Sequence, residues 1–473
     1  MPRGLDLNHV AVLNDHGLLL NVLLNFFCCR LVDKYMKYIN TYLFGILLAA
    51  LVLTGCRDRN SKTQSPSDRG ADLTEQAENT DFTLAWLNAL FYEEDFERTL
   101  KSDLQLNKEQ VSALKAAASA AVGKLSEDEE PSTKSFKASI KQATTEIVRI
   151  LGEQKAGQFF HFIAARYADE QNKLPLQPNQ VPEDTRIVVN APAFRMDVFQ
   201  QGKLIKTYKI GVGYPEFPLP TGVRKATNVI FNPTWTPPDE PWVKGKVTAG
   251  EKVPAGSKLN PLGPIKIPIG MPSLIHGGKD ASKLGAFASH GCVGLTDVQV
   301  QDFTKVLTQV SGSPISAEEI ADYEKKNTKT ESVKLKQPVL VELRYETIVA
   351  QDGQLHIYRD VYERGTNTIE NATRVLDAYG IKFEKLSEQE KSSLTRALDE
   401  MNQDARGNKI AGVDHPNQGH EEDSAQKREA AKENRKEKGQ VTRKVLGQQD
   451  IAVPIAALKD KGYPAPVAYS TGN

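Results

Sequence analysis

The chain has 473 residues, with 60 basic and 60 acidic side chains and a net charge of zero. A nucleic-acid partner selects for a basic surplus, so this balance argues against one. A hydrophobic content of 40% with 7% aromatics allows a sizeable core, and the length allows two folded domains.

Tyr42 to Leu53 is an apolar run, YLFGILLAALVL. It falls short of the roughly 20 residues that span a bilayer as a helix. Lys37 precedes it and the small residues Thr54 and Gly55 follow, which is the layout of a secretory signal. Leu53-Thr54-Gly55-Cys56 resembles a bacterial lipobox. That resemblance implies Cys56 as the lipidated first residue of the mature protein, with the membrane as partner. Met36 stands where such a signal begins, so the residues before it, Cys28 and Cys29 included, read as upstream of the true start. An uncleaved anchor built from Val22–Val32 and Tyr42–Leu53 implies the same compartment. That compartment is the cell envelope on the periplasmic side, at the outer membrane if the source is Gram-negative. Residues 1–56 thus form the signal and lipoprotein segment. Residues 57–80, rich in Ser, Asp, Glu and Gln, read as a flexible tether.

Residues 81–172 read as a helical domain of three or four helices. Leu84, Leu87, Leu90 and Phe91 recur at helical spacing, as do Leu100 and Leu104, and Val111, Leu114 and Ala118. Asn107 with Gln110 three residues on suits a helix cap. Pro131 breaks the run, and Phe136, Ile140, Ile147, Val148 and Leu151 line a further face that Phe159, Phe160 and Ile163 close. His161 has no Cys, Asp or second His at ligand spacing, so it reads as structural. The sequence assigns this domain no function of its own. Binding of other proteins of the cell envelope is its candidate role.

Pro175, Pro178 and Pro182 mark an interdomain linker. The pattern then becomes alternating: Arg186–Asn190, Phe194–Phe199 and Leu204–Val212 are strands, with a hairpin turn at Gln201-Gly202. Val339–Leu343 and Leu355–Tyr358 repeat the idiom around an Asp352-Gly353 turn. Residues 185–358 are therefore mainly β. One helix interrupts them over Leu295–Val310, capped by Thr296, with Val298, Phe303, Val306 and Leu307 as its apolar residues. Residues 359–402 form a helical extension in which Leu386–Met401 is amphipathic and Ser387 with Glu390 makes its cap. Residues 403–473 read as a mostly disordered, charged tail. The fold class is α+β.

Cys292 is the one cysteine left for thiol chemistry once Cys28, Cys29 and Cys56 are assigned to the leader. A thiol attacks a carbonyl well only as thiolate, so it needs a lowered pKa or a base. His290 lies two residues away, and His276 is followed by Gly277-Gly278, which lets backbone approach a ligand. Residue spacing alone leaves open which histidine is the base. Backbone N–H groups near Gly291 and before the helix at Thr296 suit a developing oxyanion. The competing readings are a buried structural cysteine and a zinc site from His276, His290 and Cys292. The second lacks a fourth Cys or His neighbour. Trp235 and Trp242 read as core or rim residues.

His276-Gly277 followed by Ser289-His290-Gly291-Cys292-Val293 resembles the signature of YkuD-type L,D-transpeptidases, bacterial cell-wall enzymes with a β-rich catalytic domain. Further segments carry the resemblance: Ile187–Asn190, Gly202–Leu204, Gly211–Gly213, Pro220–Gly222, Asn232–Pro238, Asn260–Gly263 and a closing hairpin near Val339 and Leu355. The resemblance implies Cys292 as nucleophile and His276 as general base. It implies that His290, Gly291 and Cys292 shape an oxyanion pocket, with Ser289 and Gly277 in support. The implied substrate is a peptidoglycan stem peptide, cleaved between meso-diaminopimelate and D-Ala through an acyl-enzyme. A stem-peptide or protein amine then accepts the acyl group. It implies no metal and no organic cofactor, and carbapenems as covalent ligands. An L,D-carboxypeptidase or cross-link hydrolase with the same site is one alternative, and a catalytically silent wall-binding lipoprotein is another. One position departs from the family: Gly294 stands where an arginine is usual, and Lys266, Lys279 or Lys283 are the candidates to supply the charge.

Overall fold

The computed structural model describes residues 82–123 except 94, 136–167, 174–403 except 241, 242, 244 and 271, then 407, 409–410, 445 and 447–464. All belong to one compact unit, Ser67–Asn473. Cys56, the signal segment, the tether, Trp242 and most of the charged tail lie outside the described residues.

The N-terminal region contains helices α1 (Leu84–Leu90), α2 (Phe96–Ser102), α3 (Lys108–Val122), α4 (Phe136–Leu151) and α5 (Glu153–Tyr167). That is more, and shorter, helices than the periodicity predicts. The extra boundary falls just after Leu90, where the chain turns before Phe96. Asn107 does cap α3: its side chain accepts from Gln110 N at 2.8 Å, and Gln110 Oε1 accepts from Asn107 N at 3.1 Å. The periodic residues Leu87, Leu90, Val111, Leu114, Ile140, Ile147, Phe159 and Ile163 are all buried. Their core is not a separate one. It runs continuously into Ile187, Val189, Ile265 and Phe303 of the β region.

The β region is built on an eight-stranded sheet of order β3-β2-β1-β10-β5-β6-β7-β9. Its members are β1 (Arg186–Asn190), β2 (Arg195–Gln200), β3 (Lys203–Lys209), β5 (Gly222–Phe231), β6 (Ile265–Pro268), β7 (Leu274–His276), β9 (Val293–Gly294) and β10 (Glu331–Arg344). A two-stranded parallel pair, β4 (Val212–Gly213) with β8 (Phe287–Ser289), stands beside it. The register of β10 on β5 shifts between Lys334 and Val339, around Pro338, which has no N–H to give to a ladder. Helix α6 (Asp297–Val310) follows β9, and α7 (Ala317–Lys325) follows α6. Thr296 caps α6 as expected, accepting from Gln299 N at 3.2 Å. Val300, Phe303 and Leu307 are buried, whereas Val298, expected among the apolar residues, is 52% exposed.

The expected closing hairpin is split: its Val339–Leu343 arm lies in β10 within this sheet, between β1 and β5, and only its Leu355 arm leaves it. β11 (Ile348–Gln351) and β12 (Gln354–Tyr358) form a separate three-stranded sheet with β13 (Asp450–Pro454). The break has a local cause. The Asn190 side chain pairs with both backbone groups of Glu346, accepting from its N–H and donating to its carbonyl at 2.9 Å each. This ends the ladder just past Arg344. The apolar face of the second sheet, Ile348, Ala350, Leu355 and Ile357, then needs its own cover. Helices α8 (Ile369–Ala378) and α9 (Glu388–Met401) supply it with Leu376, Leu394 and Leu398. Ser387 and Glu390 form the expected capping box of α9. β13 falls within the segment read as tail. Its D-I-A-V-P run is too short to mark a strand, and pairing with β12 is what orders it.

Candidate active site

His276 ends β7 and Cys292 immediately precedes β9. The two strands are parallel neighbours, with Ile275 opposite Val293 and His276 opposite Gly294. On its other side His276 faces Lys266 of β6. The ladder continues past both strands: Leu295 N donates to His276 O at 2.9 Å and Lys279 N to Leu295 O at 3.1 Å. The chain between His276 and Lys279 must stay glycine. Gly278 has φ +76°, and a Cβ there would lie 2.5 Å from Pro261 O. Its N–H donates to Asp297 Oδ1 at 2.7 Å, which ties the His276 loop to the first turn of α6.

The His276 ring is 3% exposed, and its Nδ1 lies 2.7 Å from Gly277 O. A carbonyl only accepts, so Nδ1 carries the proton and Nε2 keeps its lone pair. Burial, with Lys279 second, pulls the imidazole down to about 3 against the carbonyls of Gly277 and Leu262. The ring is neutral at neutral pH.

Cys292 is partly exposed and free of disulfides. Its sulfur donates to Pro272 O at 3.8 Å. Among the described residues no hydrogen bond joins it to His276. Burial raises the thiol pKa. The Leu274 amide opposes this, followed by the ammonium groups of Lys279 and Lys266. Each lysine is in turn lowered by burial and raised by Cys292. The resting pair is therefore thiol and imidazole, with two cations and an N–H ready to favour thiolate once it forms.

Ser289 closes the turn that carries the cysteine. Its Oγ donates to Cys292 O at 2.6 Å and accepts from Cys292 N at 3.0 Å. The Cys292 amide, expected in an oxyanion pocket, is thus occupied. Gly291, with φ +94°, accepts from Ser273 Oγ at 2.9 Å. The His290 ring packs edge-on to Tyr214 at 5.1 Å and to Phe217 at 4.8 Å. Among the described residues no group of three His, Cys, Asp or Glu side chains is placed to hold a metal ion.

Of the three candidate lysines, Lys283 is exposed in a short 3-10 turn, Ala281–Lys283. Lys279 takes the space over Gly294: a Cβ there would lie 2.9 Å from its Cγ and 3.1 Å from its Cε. Three contributors carry no sequence signal. Ser273 is fully buried behind the cysteine loop. Tyr362, from beyond β12, donates to Gly213 O at 2.9 Å and accepts from Leu219 N at 3.2 Å. Trp86 of α1 faces the side-chain position of Gly291, where a Cβ would meet its ring at 3.6–3.7 Å.

The model of the L,D-transpeptidase catalytic domain family, YkuD, matches residues 184–331. These residues form an L,D-transpeptidase catalytic domain. The match stops within β10, so the second sheet and the helices around it lie outside it. No match was found among curated proteins. Among solved structures, the avibactam carbamoyl enzyme of Ldtfm is 18% identical over 35% of this chain and 50% of its own, with a TM-score of 0.23. This chain thus spans half the length of that protein. The catalytic domain of the E. faecium L,D-transpeptidase is 19% identical over 34% of this chain and 99% of its own, with a TM-score of 0.23. An L,D-transpeptidase from Mycobacterium smegmatis is 16% identical over 34% of this chain and 58% of its own, with a TM-score of 0.21. These scores are low, and the assignment of the domain rests on the family match.

Proposed function

We propose that the protein is a peptidoglycan L,D-transpeptidase in which Cys292 is the nucleophile and His276 the base. The observation that carries this reading is the pairing of β7 with β9, which puts His276 and the Cys292 turn on adjacent strands between Lys266 and Lys279. A stem peptide ending in meso-diaminopimelate and D-Ala brings its penultimate carbonyl to the sulfur. The thiol proton passes to His276 Nε2 as the sulfur–carbon bond forms. The same proton then goes to the leaving nitrogen of D-Ala, and a thioester remains. The amine of a second stem or of a protein attacks the thioester, forms the new amide and returns the proton to sulfur. Burial keeps imidazole and thiol neutral at rest, and Lys266 and Lys279 lower the cost of the thiolate as it develops. No cofactor takes part.

The protein would act in the cell envelope, tethered through a lipid on Cys56. Loss of membrane association in Cys56→Ser checks the anchor, and unchanged association refutes it. Incubation with a disaccharide tetrapeptide followed by mass spectrometry checks the reaction. Loss of D-Ala with a cross-linked dimer supports transfer, whereas loss of D-Ala without a dimer marks a hydrolase.

A further inference from the structure

The helical region touches the reactive loop, and the contact is built. Trp86 is 2% exposed, and its Nε1–H donates to Pro218 O at 2.6 Å, which fixes the plane of the indole. A Cβ on Gly291 would meet three atoms of that ring at 3.6–3.7 Å, the ordinary van der Waals distance. Gly291 is the residue before Cys292. The residue before that, His290, is held edge-on by Phe217 at 4.8 Å, and Phe217 forms a small apolar cluster with Ala85 of α1 and Val122 of α3. Both residues leading into the cysteine therefore face the helical region, Gly291 across a methyl-sized gap from Trp86 and His290 through Phe217.

The helix that presents Trp86 is itself clamped to two loops of the catalytic domain. Thr83 Oγ1 donates to Glu216 O at 2.7 Å. Asn88 Nδ2 donates to Glu240 Oε1 at 3.0 Å, with both residues buried. Tyr92 OH accepts from Asp239 N at 2.7 Å. The buried Asn88–Glu240 pair fixes one docking geometry, because any other leaves its partners unsatisfied. The continuous apolar core makes the same point for packing.

We infer that Trp86 is a positioning residue for the catalytic loop. The helical region acts as a rigid buttress that aims Cys292 by walling the side-chain face of Gly291, one Cβ contact away, and by backing His290 through Phe217. The inference takes Cys292 as the reactive thiol, as the proposed function does, and goes beyond it by giving the helical region a part in the site. A displacement of about 1 Å at a reacting atom can cost up to about a hundredfold in rate, so a loop supported from one side by an indole is sensitive to its removal.

The test uses the full chain with three variants: Trp86→Ala, Trp86→Phe, and Leu114→Ala, which truncates a buried side chain of the same helical core away from the loop. Three quantities are read: kcat and KM for D-Ala release from a tetrapeptide, the pH midpoint of Cys292 alkylation by iodoacetamide, and the melting temperature. Trp86→Ala is expected to lower kcat about tenfold with KM little changed. It should also raise the alkylation midpoint, because the sulfur moves relative to Lys266, Lys279 and the Leu274 amide. Trp86→Phe should recover most of kcat, and Leu114→Ala should lower the melting temperature while leaving kcat and the midpoint alone. An unchanged kcat and midpoint in Trp86→Ala overturns the inference. A faster Trp86→Ala overturns it in favour of a lid, and an equal loss in Leu114→Ala reduces it to stability. If the wild type releases no D-Ala but Trp86→Ala still shifts the midpoint, the transpeptidase reading fails and the buttress stands.

Discussion

The stem of Lys279 lies across Gly294, with its Cγ 2.9 Å from where a Cβ at 294 would sit. One residue is small because the other occupies its space. Lys279 also bears on both groups of the proposed pair, pulling the Cys292 thiol down and the His276 imidazole down with it. The glycine at 294 therefore does not leave the site without a cation. Lys279→Ala should lower the rate of acylation by a tetrapeptide or by imipenem about tenfold, with Lys279→Arg retaining most of it. Gly294→Arg alone should also be slow, because Lys279 blocks its path. Combining it with Lys279→Ala should restore activity, giving a coupling of about 2–3 kcal/mol in the double-mutant cycle when each single variant is about tenfold slow. Additive losses contradict the account.

The pH dependence of thiol chemistry follows from burial. The Cys292 pKa lies above its ordinary value and that of His276 near 3, so neither group titrates between pH 5 and 8. The rate of alkylation by iodoacetamide should climb steadily into the alkaline range, with no inflection near pH 6.5. A step there that His276→Gln abolishes would show an ion pair already formed at rest.

His276 also makes stability depend on acid. The unfolded chain binds a proton at His276 near pH 6.5, the folded chain only near 3. The folded state is favoured above pH 6.5 and loses that advantage as pH falls toward 3, by on the order of 3 kcal/mol at pH 4. Thermal melts should show the wild type losing more stability between pH 7 and pH 4 than His276→Gln does. Equal losses in the two proteins contradict the burial argument.

Ser289 holds the cysteine turn by both backbone groups of one residue, the N–H and the C=O of Cys292. Ser289→Ala leaves the partly buried Cys292 amide without its partner, a change worth about 1 kcal/mol. Denaturant melts should show that loss, and D-Ala release should fall with it. A melt unchanged from wild type places the turn's stability elsewhere.

Much of this architecture is legible in the sequence, for identifiable reasons. Local rules act at the caps of α3, α6 and α9, where Asn107, Thr296 and Ser387 each meet a partner three residues on. Glycines that pack backbone against backbone, such as Gly278, are rigid requirements and so leave a motif. What stays hidden is long-range. Trp86 reaches Gly291 across about 200 residues of chain, and Tyr362 reaches Gly213 across about 150. Neither contact has a local signature, because an apolar residue on a helix reads the same whether it faces its own bundle or a catalytic loop. The split of the expected hairpin has the same origin. The alternation at Leu355–Tyr358 specifies a strand, but only the Asn190–Glu346 contact decides that it leaves the main sheet. His290 shows the limit of spacing: an i, i+2 relation to Cys292 suggested a shared face, yet its ring packs on Tyr214 and Phe217.

The central claim is that Cys292 forms a thioester with a stem peptide. Its most direct measurement is intact-protein mass spectrometry after brief incubation with a disaccharide tetrapeptide, with the digest mapped to locate any adduct. The account predicts an adduct equal to the donor less D-Ala on Cys292, absent in Cys292→Ala and slowed in His276→Gln. Release of D-Ala by Cys292→Ala at the wild-type rate, or no adduct and no release by the wild type, would contradict it.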